Sequence, residues 1–98
     1  MPTINVDIVS AEGEIYSGEA AMVFAPAKMG EVGIAPRHAP LLTALKPGEV
    51  RVQDTEGKEH FFYVTGGVIE VQGDHREKVA RIVLPHALQQ SNEHVHVE

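Results

Sequence analysis

The sequence predicts a small all-β domain, either a sandwich or a barrel, in which short strands are joined by hairpins. With 98 residues, the chain can form one hydrophobic core and no second domain. Its nine glycines and six prolines indicate many turns, and its apolar content of 43% is typical of a globular protein. Short apolar runs also recur between turn residues at intervals of roughly 8 to 12 residues, which favours an all-β fold.

The first predicted strand has the clearest alternation of apolar and polar residues. Over residues 3–9, the side chains of Ile4, Val6 and Ile8 fall on one side and polar side chains fall on the other. This period of two is typical of a strand that is buried on one face. A sheet therefore begins close to the amino terminus.

Two further strands are predicted after the turn residues at 12–14. Short runs occupy residues 15–16 and 20–25, and we expect the second to stop at Pro26, which has no amide proton to donate to a strand ladder. Residues 26–40 combine three prolines with two glycines, which predicts an extended loop or a hairpin tip. Loops of this kind often carry function.

The centre of the chain predicts four more strands. Residues 41–45 and 49–53 flank the turn tripeptide Lys46-Pro47-Gly48, so they predict a hairpin. Turn residues then separate two strand-like runs at residues 60–64 and 68–72.

Residues 75–84 fit either a helix or a strand. A helix would place Val79, Ile82 and Val83 on one stripe, whereas a strand would alternate through the same residues. We favour a strand because the β-branched pair Ile82-Val83 is soon followed by Pro85 and because every earlier segment is a predicted strand.

Charge and cysteine content disfavour several classes of function. A net charge of -6 opposes binding to nucleic acid or to an anionic lipid surface. The absence of cysteine excludes disulfide scaffolds, thiolate catalysis and thiolate zinc sites. No apolar run approaches the roughly 20 residues of a membrane-spanning helix, and no signal-peptide pattern opens the chain. We expect a soluble, cytosolic protein with one domain over residues 1–88 and a flexible tail over residues 89–98.

Histidine residues provide one alternative interpretation, a small histidine-dependent metal-binding β-barrel enzyme. In a strand, His94 and His96 would lie on one face, and imidazole is a common zinc ligand. Nothing in the spacing directs a third ligand toward this pair. The motifs of serine nucleophiles and phosphate-binding loops are also absent. We therefore predict no catalytic, cofactor-binding or metal-binding residues.

Four segments carry the strongest functional signal. They are VDIVSAEGEIYSG at residues 6–18, GEVGIAPRHAPLL at 30–42, LKPGEVRV at 45–52 and VTGGVIEVQ at 64–72. Together they resemble the epsilon subunit of bacterial F-type ATP synthase, and the likeness runs from Ile4 through Gln72.

The resemblance implies a two-layer β-sandwich of about ten short antiparallel strands, in agreement with the strands predicted above. In that family the domain is a non-catalytic part of the central rotor stalk. One of its faces lies against the gamma subunit, and one end lies against the polar loops of the membrane c-ring. The resemblance thus implies a peripheral protein on the cytoplasmic side of the bacterial inner membrane, which couples the catalytic head to the c-ring through protein contacts.

By position, the resemblance also implies two sets of contact residues. The residues that resemble the c-ring end are Lys28, Met29, Gly30, Glu31 and Arg37. The residues that resemble the gamma-facing side are Ser10, His38 and Thr43. Small hydroxyl side chains permit close approach across an interface, and a carboxylate on a glycine-flanked loop can pair with basic partner loops. Arg37 departs from the family, which usually has a small residue before this histidine.

A second departure lies after Gln72. Members of the family usually continue into a pair of helices that can restrain ATP hydrolysis. About 26 residues follow Gln72 and Pro85 interrupts them, so we expect no room for that pair. A free-standing interaction domain of unrelated origin is a third interpretation.

Overall fold

The structure, a computed structural model, describes residues 2–73, 78–85 and 90–91. In chain order, the strands within these residues are β1 (Ile4–Ser10), β2 (Gly13–Ala27), β3 (Gly30–Ile34), β4 (Leu41–Leu45), β5 (Gly48–Asp54), β6 (Glu59–Val64), β7 (Gly67–Gln72), β8 (Val79–Val83) and β9 (Gln90–Ser91). No helix occurs in this described part of the chain. The predicted all-β class is therefore confirmed.

Strand β2 is shared by the two layers of the sandwich. Its first half pairs with β1, and its second half pairs with β5 on one edge and β3 on the other. One layer therefore contains β4, β7, β8, β1 and the first half of β2, and the other contains β3, the second half of β2, β5, β6 and β9. Because β2 contributes to both layers, nine strands provide the ten strand segments that the resemblance implies.

One pairing is not antiparallel as expected: β1 and β8 run in the same direction. The cause is topological. Strands β1, β2, β4, β7 and β8 form a closed ring, because β4 returns to β2 through the pair Ala27 and Leu45. In a ring of five strands, directions cannot alternate all the way round, so at least one pair must be parallel. The other four pairs of the ring are antiparallel.

The core lies between the two layers and is apolar throughout. The three side chains predicted to face inward from β1 (Ile4, Val6 and Ile8) are at most 1% exposed, which confirms the alternation. Phe62 and Ile69 are among the largest buried side chains contributed by other strands. Within the described ranges no polar or charged residue is buried, so apolar burial is the main stabilising term of the fold.

The prediction of two strands at residues 15–16 and 20–25 was wrong, because β2 is one continuous strand. The expected stop at Pro26 was also wrong, because β2 continues to Ala27. Proline is tolerated there because the partner of β2 changes at this point. Pairing with β5 ends at Phe24, and the next contact is with β4, where the carbonyl of Pro26 accepts a hydrogen bond from the N–H of Lys46 at 2.9 Å. Proline cannot return that bond, but no continuous ladder is interrupted.

The strand that we favoured over a helix in residues 75–84 is confirmed as β8. Residues 74–77 lie outside the described residues, as do 86–89 and 92–98. Most of the expected tail is therefore outside them, and its division from the domain stays a prediction. Residues 90 and 91 form β9, which pairs with Phe61 and Phe62 of β6.

Gly67, at the start of β7, is required by both its conformation and its surroundings. Its φ is +128°, a region that side chains rarely adopt. A Cβ atom at this position would also lie 2.5 Å from the carbonyl oxygen of Val83. Its neighbour Gly66 has a φ of +152°, but a Cβ atom there would have no atom within 4 Å.

We predict that Gly67→Ala destabilises the domain far more than Gly66→Ala. The Gly66 substitution should cost about 1 kcal/mol from backbone strain alone. The Gly67 substitution adds a clash with backbone and should cost more than about 3 kcal/mol. Urea unfolding followed by circular dichroism measures both values. Equal losses would show that the contact between β7 and β8 adapts to the extra atom.

Candidate functional site

The hairpin tip, residues 28–31, lies at the turn between β2 and β3. Ala27 pairs with Gly30, so Lys28 and Met29 form a two-residue turn. Gly30 has a φ of +135° and open space around its Cα, which lets the chain reverse direction. The Met29 side chain is 96% exposed. The structure thus brings together four of the five residues that resemble the c-ring end.

The hairpin tip is held by the end of β4 and by the residue that follows it. The N–H of Lys28 donates to the carbonyl of Ala44 at 3.0 Å, and the N–H of Lys46 donates to the carbonyl of Pro26 at 2.9 Å. Gly48 allows this close approach, because a Cβ atom on it would lie 2.9 Å from the Cβ of Pro26. The base of the hairpin is therefore fixed along its β2 side, while the side chains of Lys28, Met29 and Glu31 are exposed.

Arg37, the fifth of these residues, does not lie at the hairpin tip. It follows the opposite end of β3, and a five-residue strand separates the two positions by roughly 13 Å. Arg37 belongs to a turn that is closed by a hydrogen bond from the N–H of His38 to the carbonyl of Ala35 at 3.0 Å. The Nδ1 atom of His38 lies 2.7 Å from the carbonyl oxygen of Ala39.

The three residues that resemble the gamma-facing side lie in three different elements. Ser10 ends β1, where its hydroxyl donates to the Glu12 carboxylate at 3.1 Å and accepts from the N–H of the same residue at 3.2 Å. His38 lies in the loop between β3 and β4. Thr43 lies in the middle of β4, is half-buried, and shares the side of the strand that carries Leu45. Thr43 is thus less accessible than its polar side chain suggests.

An apolar surface that the sequence did not predict lies on the other side of β4, and we call it the outer face. It is formed by exposed residues on three adjacent strands of one layer: Leu42 and Ala44 of β4, Val68 of β7 and Val83 of β8. The pairs Ala44–Val68 and Val68–Val83 are direct cross-strand neighbours, and Leu42 is 69% exposed. The signal in the sequence was the run Leu41 to Leu45, which is apolar at four of five positions and so provides apolar side chains to both sides of a strand.

Asp54 forms a polar cluster at the turn between β5 and β6. Its Oδ1 atom accepts hydrogen bonds from the N–H groups of Glu56 at 2.9 Å and Lys58 at 3.0 Å, and its Oδ2 atom lies 3.0 Å from the Nε2 atom of His60. The bond from His60, together with the two backbone donors, holds the pKa of Asp54 below its usual value. The carboxylate therefore organises this turn.

Aromatic rings connect the turn to β2. The ring of Tyr16 lies 5.3 Å from the ring of His60 and 5.5 Å from that of Phe62, measured between centroids. Burial raises the pKa of the Tyr16 phenol, and the negative charge of Asp54 adds to the rise. These contacts have a structural role, because they hold the turn between β5 and β6 against β2.

The metal interpretation rested on His94 and His96, which lie outside the described residues. Within residues 2–73, 78–85 and 90–91, no group of three histidine, aspartate or glutamate side chains could hold a metal ion. In the same ranges no helix is suited to crossing a bilayer.

Comparison with known proteins identifies a family. The profile described as "ATP synthase, Delta/Epsilon chain, beta-sandwich domain" matches residues 3–85, which include β1 to β8. The ATP synthase epsilon chain of Alkalilimnicola ehrlichii is 69% identical over 72 residues, covering 74% of this chain and 51% of that protein. The epsilon chain of Nitrosococcus oceani is 70% identical over 70 residues, covering 71% of this chain and 50% of that protein. The chain thus spans about half the length of the curated relatives it matches.

A solved structure has the same fold. It is a chain of the Euglena gracilis mitochondrial ATP synthase, determined as an assembly of OSCP, F1 and c-ring, and it superposes with a TM-score of 0.79. The match covers 90% of this chain and 54% of that chain at 21% identity, so it supports the fold alone. None of the comparisons supports the histidine-dependent enzyme.

We predict that Asp54 makes the stability of the domain depend on pH in the acidic range. Because its pKa is lowered on folding, Asp54 stabilises the fold above its ordinary pKa of about 3.9, and this contribution is lost as pH falls through the lower folded value. Asp54→Asn should therefore unfold at lower urea than the wild type at pH 7, and the difference should close below about pH 4.

Glu56→Gln is the matched control for this substitution. It removes a carboxylate from the same turn, whereas the one bond to Asp54 that involves Glu56 comes from its backbone N–H and not from its side chain. Its unfolding midpoint should stay close to that of the wild type at pH 7. Parallel curves for Asp54→Asn and the wild type from pH 7 to pH 3 would contradict the role assigned to Asp54.

Proposed function

Because the chain belongs to the family of ATP synthase delta/epsilon chain β-sandwich domains, we propose that it is a non-catalytic subunit of the rotor of an F-type ATP synthase. In this role it joins the gamma subunit to the c-ring, on the cytoplasmic side of a bacterial inner membrane. The observation that carries the proposal is the family match over residues 3–85, since it includes both layers of the sandwich and both sets of candidate contact residues.

The named relatives support the assembly to which the chain would belong. The curated relatives are called ATP synthase epsilon chains, and the Euglena structure is described as an assembly that contains F1 and the c-ring. A subunit of this kind acts by holding two partners in a fixed relation, so it requires rigid contact surfaces and no reacting groups. The apolar core and the braced hairpin meet that requirement.

The hairpin tip is the surface we assign to the c-ring. Lys28 and Glu31 give it charges of both signs, and Met29 adds an exposed apolar side chain between them. Charged groups of this kind select the partner and its orientation, while the apolar side chain contributes by burial. Arg37 follows the far end of β3, so in this proposal it would contact the c-ring separately from the hairpin tip.

The outer face is the surface we assign to the gamma subunit, together with Ser10 and His38. Thr43 is half-buried, so its neighbours Leu42 and Ala44 provide most of the contact from β4. Exposed apolar residues on three adjacent strands are typical of an interaction surface. The resemblance implies polar contacts from Ser10, His38 and Thr43. The outer face adds the apolar area that a stable interface also needs.

Co-purification tests the proposal directly. The chain is expressed with the gamma subunit and c-ring of a bacterium whose epsilon chain is about 70% identical, and the gamma subunit is purified by a tag. We expect this chain to be recovered in a one-to-one ratio with gamma. Its absence from the gamma fraction would contradict the rotor assignment.

We predict that the double substitution Glu31→Ala and His38→Ala weakens assembly without unfolding the domain. Both residues lie outside the apolar core, and changes at such positions usually alter stability by about 0.5 kcal/mol or less. The melting temperature should stay within about 5 °C of the wild type, while less of the chain is recovered with gamma and the c-ring. A strongly destabilised variant, or undiminished recovery, would contradict these contact roles.

We also predict that Leu42→Asp reduces recovery with gamma on the order of tenfold, because it replaces the most exposed large apolar side chain of the outer face with a second carboxylate opposite Glu70 of β7. Leu42 is largely exposed, so the isolated domain should keep its melting temperature. Thr55→Asp adds the same charge at the exposed turn between β5 and β6 and should leave recovery unchanged. Equal recovery of the two variants would exclude the outer face from the interface.

A further inference from the structure

Met29 is the most exposed large apolar side chain in the described part of the chain. It lies second in the two-residue turn of the hairpin tip, between Lys28 and Gly30, and projects away from both strands. A thioether in this position is open to small dissolved oxidants from nearly every direction.

Met22 provides an internal comparison, because it lies in the same strand as the start of the hairpin but is half-buried. Its Cε atom packs over Gly33, where a Cβ atom would lie 3.3 Å from it. The ring of Phe24 closes the same space, with its Cε1 atom 3.2 Å from that position. Two methionines only seven positions apart thus differ strongly in access to solvent.

We propose that Met29 is an oxidation-sensitive assembly site: peroxide converts it to the sulfoxide in the unassembled subunit, and the oxidised hairpin tip no longer docks on the c-ring. The docking part rests on the proposed function. The Met29 sulfur attacks one peroxide oxygen, the O–O bond breaks, a sulfur–oxygen bond forms, and the second oxygen leaves as water after proton transfer. Sulfur loses two electrons and hydrogen peroxide is reduced.

The change acts on the contact surface and not on the fold. The backbone of the tip is held by the bond from Lys28 to Ala44, and the Met29 side chain contributes nothing to the core. A sulfoxide oxygen is a strong hydrogen-bond acceptor that loses its water when a partner covers it. Docking should therefore weaken while the domain stays folded. Methionine sulfoxide reductases reverse the modification, which makes the effect reversible.

The first part of the test measures which methionine reacts. The purified chain is treated with hydrogen peroxide, and the 16-Da mass increase is followed on separate peptides for Met29 and Met22; Met1, which lies outside the described residues, is followed on its own peptide. We expect Met29 to react at least about fivefold faster than Met22. The ratio should fall toward one when the chain is unfolded in urea. Equal rates in the folded chain would overturn the proposal.

The second part measures docking on the c-ring, by recovery of the chain with the rotor. Peroxide treatment should reduce recovery of the wild type and of Met22→Leu, but not of Met29→Leu, which keeps an apolar side chain without sulfur. Met29→Gln, which mimics the polarity of the sulfoxide, should be recovered poorly without treatment. Reductase treatment of the oxidised wild type should restore recovery. Peroxide sensitivity in Met29→Leu would overturn the proposal.

The two parts separate this proposal from the proposed function. If the untreated chain does not join the rotor, the rotor assignment fails and the docking part fails with it, whereas the peptide rates still decide whether Met29 is oxidised selectively. If the untreated chain assembles and the Met29 sulfoxide assembles equally well, the rotor assignment stands and this proposal is overturned. In the assembled rotor, Met29 should be protected from peroxide.

Discussion

The fold depends on one strand that takes part in both layers. Strand β2 has 15 residues, and along its length it pairs in turn with β1, β5, β3 and β4. A sandwich usually has two separate sheets joined only by loops. In this protein the main chain itself carries hydrogen bonding from one layer to the other, so the layers have little freedom to slide over the shared core.

Much of this architecture could be predicted from the sequence. Alternation identified β1 and its inward residues Ile4, Val6 and Ile8, and turn residues located the hairpin of β5 and β6. The hairpin predicted over residues 41–45 and 49–53 was wrong, because β4 pairs with β7 whereas β5 pairs with β2 and β6, so the turn between them carries the chain from one layer to the other. The extension of β2 through Pro26 could not be predicted, because proline normally ends a strand and the chain tolerates it here only through a change of partner that local sequence does not encode. The parallel direction of the β1–β8 pair was also not predicted, because it follows from closure of a ring of strands and not from any local pattern.

The positions of the candidate contact residues could likewise be predicted only in part from the sequence. The loop composition of residues 26–40 pointed to a functional segment, and within it the hairpin tip does gather Lys28, Met29, Gly30 and Glu31. The distance of Arg37 from the tip depends on β3, which the sequence did not predict as a strand. The outer face was missed because its members come from three strands whose neighbours are known only once the sheet order is known.

The closed ring of strands also has a consequence for how the chain folds. The parallel pair joins Asn5 to Val79 and Val9 to Val83, so the first strand of the chain completes its hydrogen bonding only with the last long one. Contacts this distant in sequence carry a high entropy cost of loop closure and slow folding in proteins of similar size. We expect the hairpins to form early and the β1–β8 pair to close the ring last. Pulse-labelling hydrogen exchange would then find the amides that join β1 to β8 protected after those that join β5 to β6. During synthesis, the amino-terminal strand could complete its pairing only after nearly the whole domain had left the ribosome.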